Sequence, residues 1–212
     1  TKMKLHPLKL EKFNGRVHFE DEHLLVENFS GKMGKSDFLL NLTWYTGQDP
    51  VLQKRDNVFK LTSSKLDLDA LMNYNASANT KTQHDSAFNI FEVPFSDFKF
   101  SVSVQELNYH TFWLEDFSFS GRMTPDHFIY LDNMEVHTAD GKLNVKGYFN
   151  GSNPKEIYFS STMNAEKLDL DKLMVKFENF GQDYLINQNL HGKISGTIDS
   201  KFLVYPDLTP II

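Results

Sequence analysis

The 212-residue sequence predicts an all-β fold, mainly antiparallel, in which a duplicated β module forms a curved or curled sheet with a short helix after each copy of a Leu-Asp-Leu-Asp peptide. Three observations predict it. Apolar and polar residues alternate in several separate runs, the period of a strand with one dry and one wet face. Turn-forming residues punctuate those runs. The peptide Lys65-Leu66-Asp67-Leu68-Asp69-Ala70-Leu71-Met72 returns at positions 167 to 174 with seven of its eight residues unchanged, a separation of 102. A fixed internal period marks a repeat architecture, in which each unit needs a neighbour to cover its apolar face.

The repeat extends upstream of the peptide. Asn28 aligns with Asn133, and the run Phe38, Leu40, Leu42, Trp44 with Leu143, Val145, Gly147, Phe149, both at an offset of 105. Gly15-Arg16 against Gly121-Arg122 gives 106, so small gaps suffice. These alignments divide the chain into a first β repeat (1–74), a polar linker (75–88), a second β repeat (89–184) and a strand opening a further repeat (185–212).

Taken in order, Gly31 and Gly34 separate two strand candidates, the second of which carries Phe38, Leu40, Leu42 and Trp44. Thr46-Gly47-Gln48-Asp49-Pro50 is loop chemistry, and another strand follows before the Leu-Asp-Leu-Asp peptide. Segment 75–88 is rich in Asn, Ser, Thr and Ala, which suits a surface connection. Phe98, Phe100, Val102 and Val104 alternate with Lys99, Ser101 and Ser103. Ala139-Asp140-Gly141 then repeats the earlier turn, Leu143 to Phe149 the earlier strand, and Asn150-Gly151-Ser152-Asn153-Pro154 the earlier loop. Each repeat therefore reads strand, turn, strand, loop, strand, peptide. From Leu190 to Val204 the even positions, including Ile194, Ile198 and Phe202, hold one register, with Gly192, Gly196 and Ser200 as shallow points where the strand bends or another backbone comes close.

In the Leu-Asp-Leu-Asp peptide the leucines suit the end of a strand. Asp69 and Asp171 are placed to cap a helix starting at Ala70 or Lys172, with Leu71 and Met72 as its apolar anchors. A calcium site there would need further oxygen ligands and a glycine at set spacing, and neither copy has them.

Composition excludes several classes. A formal charge of −6 lacks the basic stripe of a nucleic-acid binder. The absence of cysteine removes disulfides, thiolate zinc sites and cysteine nucleophiles, and suits a bacterial chain of cytoplasm or periplasm. Nineteen Phe favour strands. No apolar run reaches the length of a membrane-spanning helix. With Thr1 first and no signal peptide in view, the chain reads as part of a longer protein.

No catalytic set or cofactor site emerges. His18 and His23 flank Glu20, Asp21 and Glu22, and His127 and His137 flank another turn, without a zinc-type motif. They read as strand or turn histidines facing solvent. Gly-x-Ser-x-Gly and phosphate loops are absent. Glu115 and Asp116, adjacent in a strand, should point to opposite faces rather than flank one bond. Asn28, Asn41, Asn75 and Asn150 head Asn-x-Ser/Thr triplets that read as coincidence in an Asn- and Ser-rich chain.

The phrases from Gly34 to Leu42 and from Gly141 to Phe149, the Leu61 to Leu71 pattern L-x-S-x-x-L-D-L-D-x-L, and the closing segment Leu190 to Ile211 resemble the AsmA-like envelope proteins of Gram-negative bacteria, relatives of TamB-type β-groove proteins. The resemblance covers most of the chain. It implies a non-enzymatic periplasmic segment, tied to the inner membrane through an N-terminal anchor that this chain lacks. It also implies a part in outer-membrane biogenesis by binding or conducting phospholipid or another envelope lipid, with other envelope proteins as partners. In such a protein the lipid-facing residues would be Phe38, Leu40, Leu42, Trp44, Phe98, Phe100, Val102, Val104, Leu143, Val145, Phe149, Ile194, Ile198 and Phe202. The alternative is a structural or adhesive β-repeat in which the same side chains fill a dry core. Sequence alone leaves both open.

Overall fold

The computed structural model describes residues 8–71, 90–92, 95–109, 112–176 and 191–206. They form one sheet of ten strands whose spatial order is their chain order: β1 (Leu10–Glu20), β2 (His23–Met33), β3 (Ser36–Tyr45), β4 (Val58–Asp67), β5 (Phe98–Tyr109), β6 (Phe112–Thr124), β7 (Phe128–Thr138), β8 (Gly141–Asn150), β9 (Tyr158–Asp169) and β10 (Lys193–Leu203). The sheet is all-β and does not close into a barrel. The helices α1 (Pro50–Asp56), α2 (Leu68–Leu71) and α3 (Leu170–Lys176), with a 3₁₀ turn at Ile90–Glu92, are short additions.

The duplication is written in the hydrogen-bond register. Val26↔Leu42 and Phe29↔Leu40 between β2 and β3 recur as Leu131↔Gly147 and Met134↔Val145, every partner moved by 105. Leu40↔Leu61 and Leu39↔Thr62 recur as Val145↔Met163 and Asn144↔Asn164, the second partner moved by 102. The difference falls in the connection before β4 and β9, which holds α1 in the first repeat and only a short turn in the second. Asn28 and Asn133 both sit where the register shifts, and Asn28 is left-handed (φ 49°). Asparagine tolerates that backbone, and a bulge supplies it. In the first repeat Asn41 Oδ1 accepts from the Asn28 N–H at 2.9 Å; in the second, Asn144 Nδ2 donates to Asn133 Oδ1 at 2.7 Å.

Several expectations need correction. Each repeat has four strands, β1–β4 and β6–β9, not three, because the Leu10–Glu20 and Phe112–Thr124 strands open them. Gly121 corresponds to Val17 rather than Gly15, since Val17↔Val26 recurs as Gly121↔Leu131. Gly34 (φ 61°) makes its turn, whereas Gly31 lies within β2, where an added Cβ would meet the Phe38 ring at 3.0 Å. α1 starts in what reads as loop: Asp49 accepts from Val51 N–H at 2.8 Å, and Pro50 takes the first helical position. Residues 75–88 lie outside the described residues.

The strand β5 stands between the repeats. It pairs parallel with β4 and antiparallel with β6, the only parallel pairing in the sheet as described. Parallel neighbours need a long crossover, and residues 72–97 supply the length. One parallel pairing also keeps the direction of the second repeat: β6 runs opposite to β4, as β10 runs opposite to β9. Asn57 pins this junction. It is 1 % exposed, its Oδ1 accepts from Tyr45 N–H at 2.7 Å, its Nδ2 donates to Asp97 O at 2.9 Å, and its own carbonyl accepts from Lys99 N–H at 3.0 Å.

The Leu-Asp-Leu-Asp peptides end β4 and β9, but the cap falls on the first aspartate of each, not the second. Asp67 Oδ1 accepts from Ala70 N–H at 3.0 Å and Asp169 Oδ1 from Lys172 N–H at 3.1 Å. The helices begin one residue before Asp69 and Asp171, which therefore sit in the first turn, where a carboxylate still meets the positive helix end. Leu66 and Leu168 are buried at 8 % and 3 % exposure, so the first leucine closes the strand against the core.

Candidate functional site

Because side chains alternate faces along a strand, the register decides which residues share a face. One row crosses all ten strands: Val17, Val26, Leu42, Phe59, Phe100, Gly121, Leu131, Gly147, Ser161, Ser200. The next row runs Phe29, Leu40, Leu61, Val102, Phe119, Met134, Val145, Met163, Ile198. On the other side of the first row lie Phe98, Met123, Ile129, Phe149, Phe159 and Phe202. None of these residues is charged. Ser161 and Ser200, the polar members, bond each other through their hydroxyls at 2.8 Å.

The opposite face is polar. One of its rows reads Ser30, Leu39, Thr62, Ser103, Ser118, Glu135, Asn144, Asn164, Thr197, with Leu39 its one apolar member. Among its charges Lys142 pairs with Glu135 at 2.8 Å, Arg16 with Glu27 at 3.6 Å, and Arg122 with Asp132 at 3.9 Å. Phe128, Tyr130, Tyr148 and Tyr158 form an aromatic patch on the same side, with Arg122 and Lys201 each over a tyrosine ring at 4.0 Å. The Asn150 amide donating to the Tyr158 hydroxyl lowers its pKa, and Tyr148, bonded to Tyr158, is raised.

All fourteen sequence-predicted residues lie on the apolar face. Leu42 and Phe100 are in the first row, and Leu40, Val102, Val145 and Ile198 in the second. Phe98, Phe149 and Phe202 are in the third, with Trp44 opposite Leu24 on its first-repeat side. Phe38, Val104 and Leu143 follow on the α2 and α3 side, and Ile194 lies opposite Leu168. Sequence reasoning missed their equally placed neighbours, among them Phe59, Leu61, Phe119, Leu131 and Met163. Alternation through Phe117, Phe119, Gly121 and Met123 could have found the β6 members.

Exposure separates core from open surface. Val104, Val145 and Phe149 are sealed at 1 %, 4 % and 5 %. Val104 packs with Leu66 and Leu107 beneath Leu68 and Leu71 of α2. Phe149 packs with Ile90, Ile157 and Val204, with Phe91 and Phe95 laid against them. The other eleven are half-buried or exposed; Trp44 stands at 39 %, Ile194 at 45 % and Ile198 at 61 %. Among the described residues no second sheet lies over this face. It holds two apolar recesses. One of about 360 Å³ is lined by Leu10, Phe29, Phe38, Leu40, Phe59, Leu61 and Leu71; another of about 310 Å³ by Phe119, Ile129, Leu131, Phe149, Phe159 and Phe202.

A larger hollow, about 680 Å³, opens at the β7–β8 turn among Glu115, His137, Asp140, Lys142, Glu166, Lys167 and Lys172. Its cations and carboxylates balance. Lys172 bonds Asp140 and holds that carboxyl below its ordinary pKa, while Glu135 raises Lys142. Asp116 is left-handed (φ 47°), and the bulge there brings both Glu115 and Asp116 beside His137, against simple alternation; the Asp116 carboxylate is 3.0 Å from His137 Nδ1. His18 lies near Glu20 and Glu27, His191 bonds Asp171, and His127 packs at a tilt against the rings of Phe91 and Phe95. Among the described residues no three metal-ligating side chains converge, and no helix is long and apolar enough to cross a membrane.

Among the described residues the fold defines a class: a two-faced β-sheet whose apolar side is covered by no second sheet. Comparison with protein-family models, with curated proteins and with solved structures finds no match.

Proposed function

We propose that this chain is a non-enzymatic lipid-binding β module, a periplasmic segment of an AsmA-like protein held at the inner membrane and serving outer-membrane biogenesis. One observation carries the lipid reading: an uncharged row, apolar except for Ser161 and Ser200 at its far end, crosses ten adjacent strands, and among the described residues no second sheet lies over it. Nine inter-strand spacings of about 4.8 Å make a path of roughly 43 Å. A surface of this kind normally marks a binding site in a protein that stays soluble. Acyl chains ask only for continuous apolar area, at about 25 cal/mol per Å² removed from water. Phospholipid is the ligand class; its headgroup would remain at the rim, away from the paired charges of the opposite face.

The test is lipid content. The purified chain is mixed with phospholipid vesicles, separated from them, extracted and examined by mass spectrometry. Phospholipid retained in stoichiometric amount supports the reading. A chain that neither co-purifies with lipid nor takes it up from vesicles sinks it, and leaves a β-repeat covered by a protein partner.

A further inference from the structure

We propose that the polar face from β5 to β10 is a docking surface for an acidic polysaccharide. The register lays one row across six strands: Lys99, Arg122, Tyr130, Tyr148, Ser160 and Lys201. Beside it, toward the β6–β7 turn, lie Thr124, Phe128, Asn150 and Tyr158. On its other side lie Lys60, Ser101 and Ser120, then Lys146 and Thr162. Five of these residues are cations, all of them exposed, on a chain whose formal charge is −6. Among the described residues Lys60, Lys99, Lys146 and Lys201 stand in no ion pair, and Arg122 has only Asp132, at 3.9 Å. Asp199 is bonded to Thr162, and Asp126 and Glu156 sit in the turns beyond these rows. The positive charge is therefore left for something outside the chain.

The aromatic rings do not offer their faces. Arg122 lies over Tyr130 and Lys201 over Tyr158, Phe128 stacks on Tyr130 at 5.7 Å, and Tyr148 meets Tyr158 edge to face at 6.0 Å. Nucleic-acid bases need an open ring on which to stack. What these rings leave for a partner is hydroxyls beside charge. Tyr158 is the sharpest donor. Its oxygen accepts from Asn150 Nδ2 at 3.0 Å and from the Tyr148 hydroxyl, so its own proton is left to point at a partner. Bonds in series strengthen the last donor of the chain. With the Lys201 ammonium over the same ring, an oxyanion there meets a hydroxyl and a cation together. Lys99 and Lys201 are separated by five strand spacings of about 4.8 Å, roughly 24 Å in all. A pyranose ring is comparable in length to one such spacing, so successive acidic sugars can meet successive strands. A flat anionic bilayer would meet the lysines but make no use of the half-buried hydroxyls between them. The apolar rows lie on the opposite face, so this binding is separate from lipid retention.

Two polyanions serve as probes, polygalacturonate with carboxylates and heparin with sulfates, and uncharged dextran as their control. In calorimetric titration the 212-residue chain should bind at least one of the polyanions and not dextran, and added salt should weaken the binding. Lys146→Glu combined with Lys201→Glu should weaken it about tenfold or more. The same charge change at the exposed Lys35, in the β2–β3 turn, should leave it unaltered. Tyr158→Phe removes only a hydroxyl and should weaken binding about tenfold with circular dichroism unchanged. Binding to neither polyanion overturns the proposal. So does a loss at Lys35→Glu equal to that of the Lys146 and Lys201 pair, which would mark unspecific charge attraction, or indifference to Tyr158→Phe. Capture by phosphatidylglycerol vesicles in place of either polyanion overturns it as well and gives the face to a membrane surface.

Discussion

Asn57 shows how much one buried amide can organise. β3 ends, β4 begins and β5 arrives at this point, and three otherwise unpaired backbone groups find partners on a single residue. A buried donor or acceptor left without a partner costs about 1–3 kcal/mol. Asn57→Ala strands two of them, the Tyr45 N–H and the Asp97 carbonyl, so it should lower unfolding stability by about 3 kcal/mol in urea titration. Asn41→Ala, which removes one bond in a more accessible bulge, should cost less than about 1.5 kcal/mol. Equal losses in the two variants would contradict the junction role of Asn57.

At the scale of the element, the capped turns separate what sequence can and cannot convey. The duplicated peptide identifies the strand ends, and the offsets 105 and 102 anticipate the pairing of β2, β3 and β4 with their counterparts. Which aspartate caps is a different matter. Leu-Asp-Leu-Asp offers two equivalent carboxylates, and the choice depends on where the strand leaves the sheet, a tertiary property set by the buried Leu66 and Leu168. Asp67→Ala should cost about 2 kcal/mol, because Asp67 also accepts from Asn108 Nδ2 at 2.9 Å; Asp169→Ala should cost about 1 and Asp69→Ala no more than about 0.5. A loss at Asp69 matching that at Asp67 would refute the assignment. The Gly15–Gly121 alignment failed because a shared Gly-Arg dipeptide does not fix register: Glu11, Asn14 and Val17 correspond to Glu115, Ser118 and Gly121, all at an offset of 104, and both strands carry register shifts between these positions. Strand β5 reads clearly as a strand, but its parallel partner does not, since side-chain alternation is the same in a parallel pair as in an antiparallel one. The face of the fourteen apolar residues was legible from period two. Their openness was not, because alternation is the same under a covering layer as under water.

For the molecule as a whole, the decisive question is whether the apolar face behaves as a core or as a surface, and stability can answer it without reference to any ligand. In a two-layer protein a carboxylate placed anywhere along the central rows is stranded among apolar atoms at a cost of several kcal/mol. In an open single layer the same carboxylate can turn to water. Leu42 and Val104 provide the contrast within one face. Leu42 lies in the long row and is half-buried, whereas Val104 is 1 % exposed beneath Leu66, Leu107 and the leucines of α2. In lipid-free protein Leu42→Asp should cost about 1–2 kcal/mol and leave the fold intact by circular dichroism, while Val104→Asp should cost more than about 4 kcal/mol or prevent folding. The folded Leu42→Asp protein should then retain about tenfold less phospholipid, since a charge interrupts the row and removes the burial that a leucine offers an acyl chain. If Leu42→Asp is as damaging to lipid-free protein as Val104→Asp, the face is sealed in solution, and its rows are the core of an assembly rather than a path for lipid.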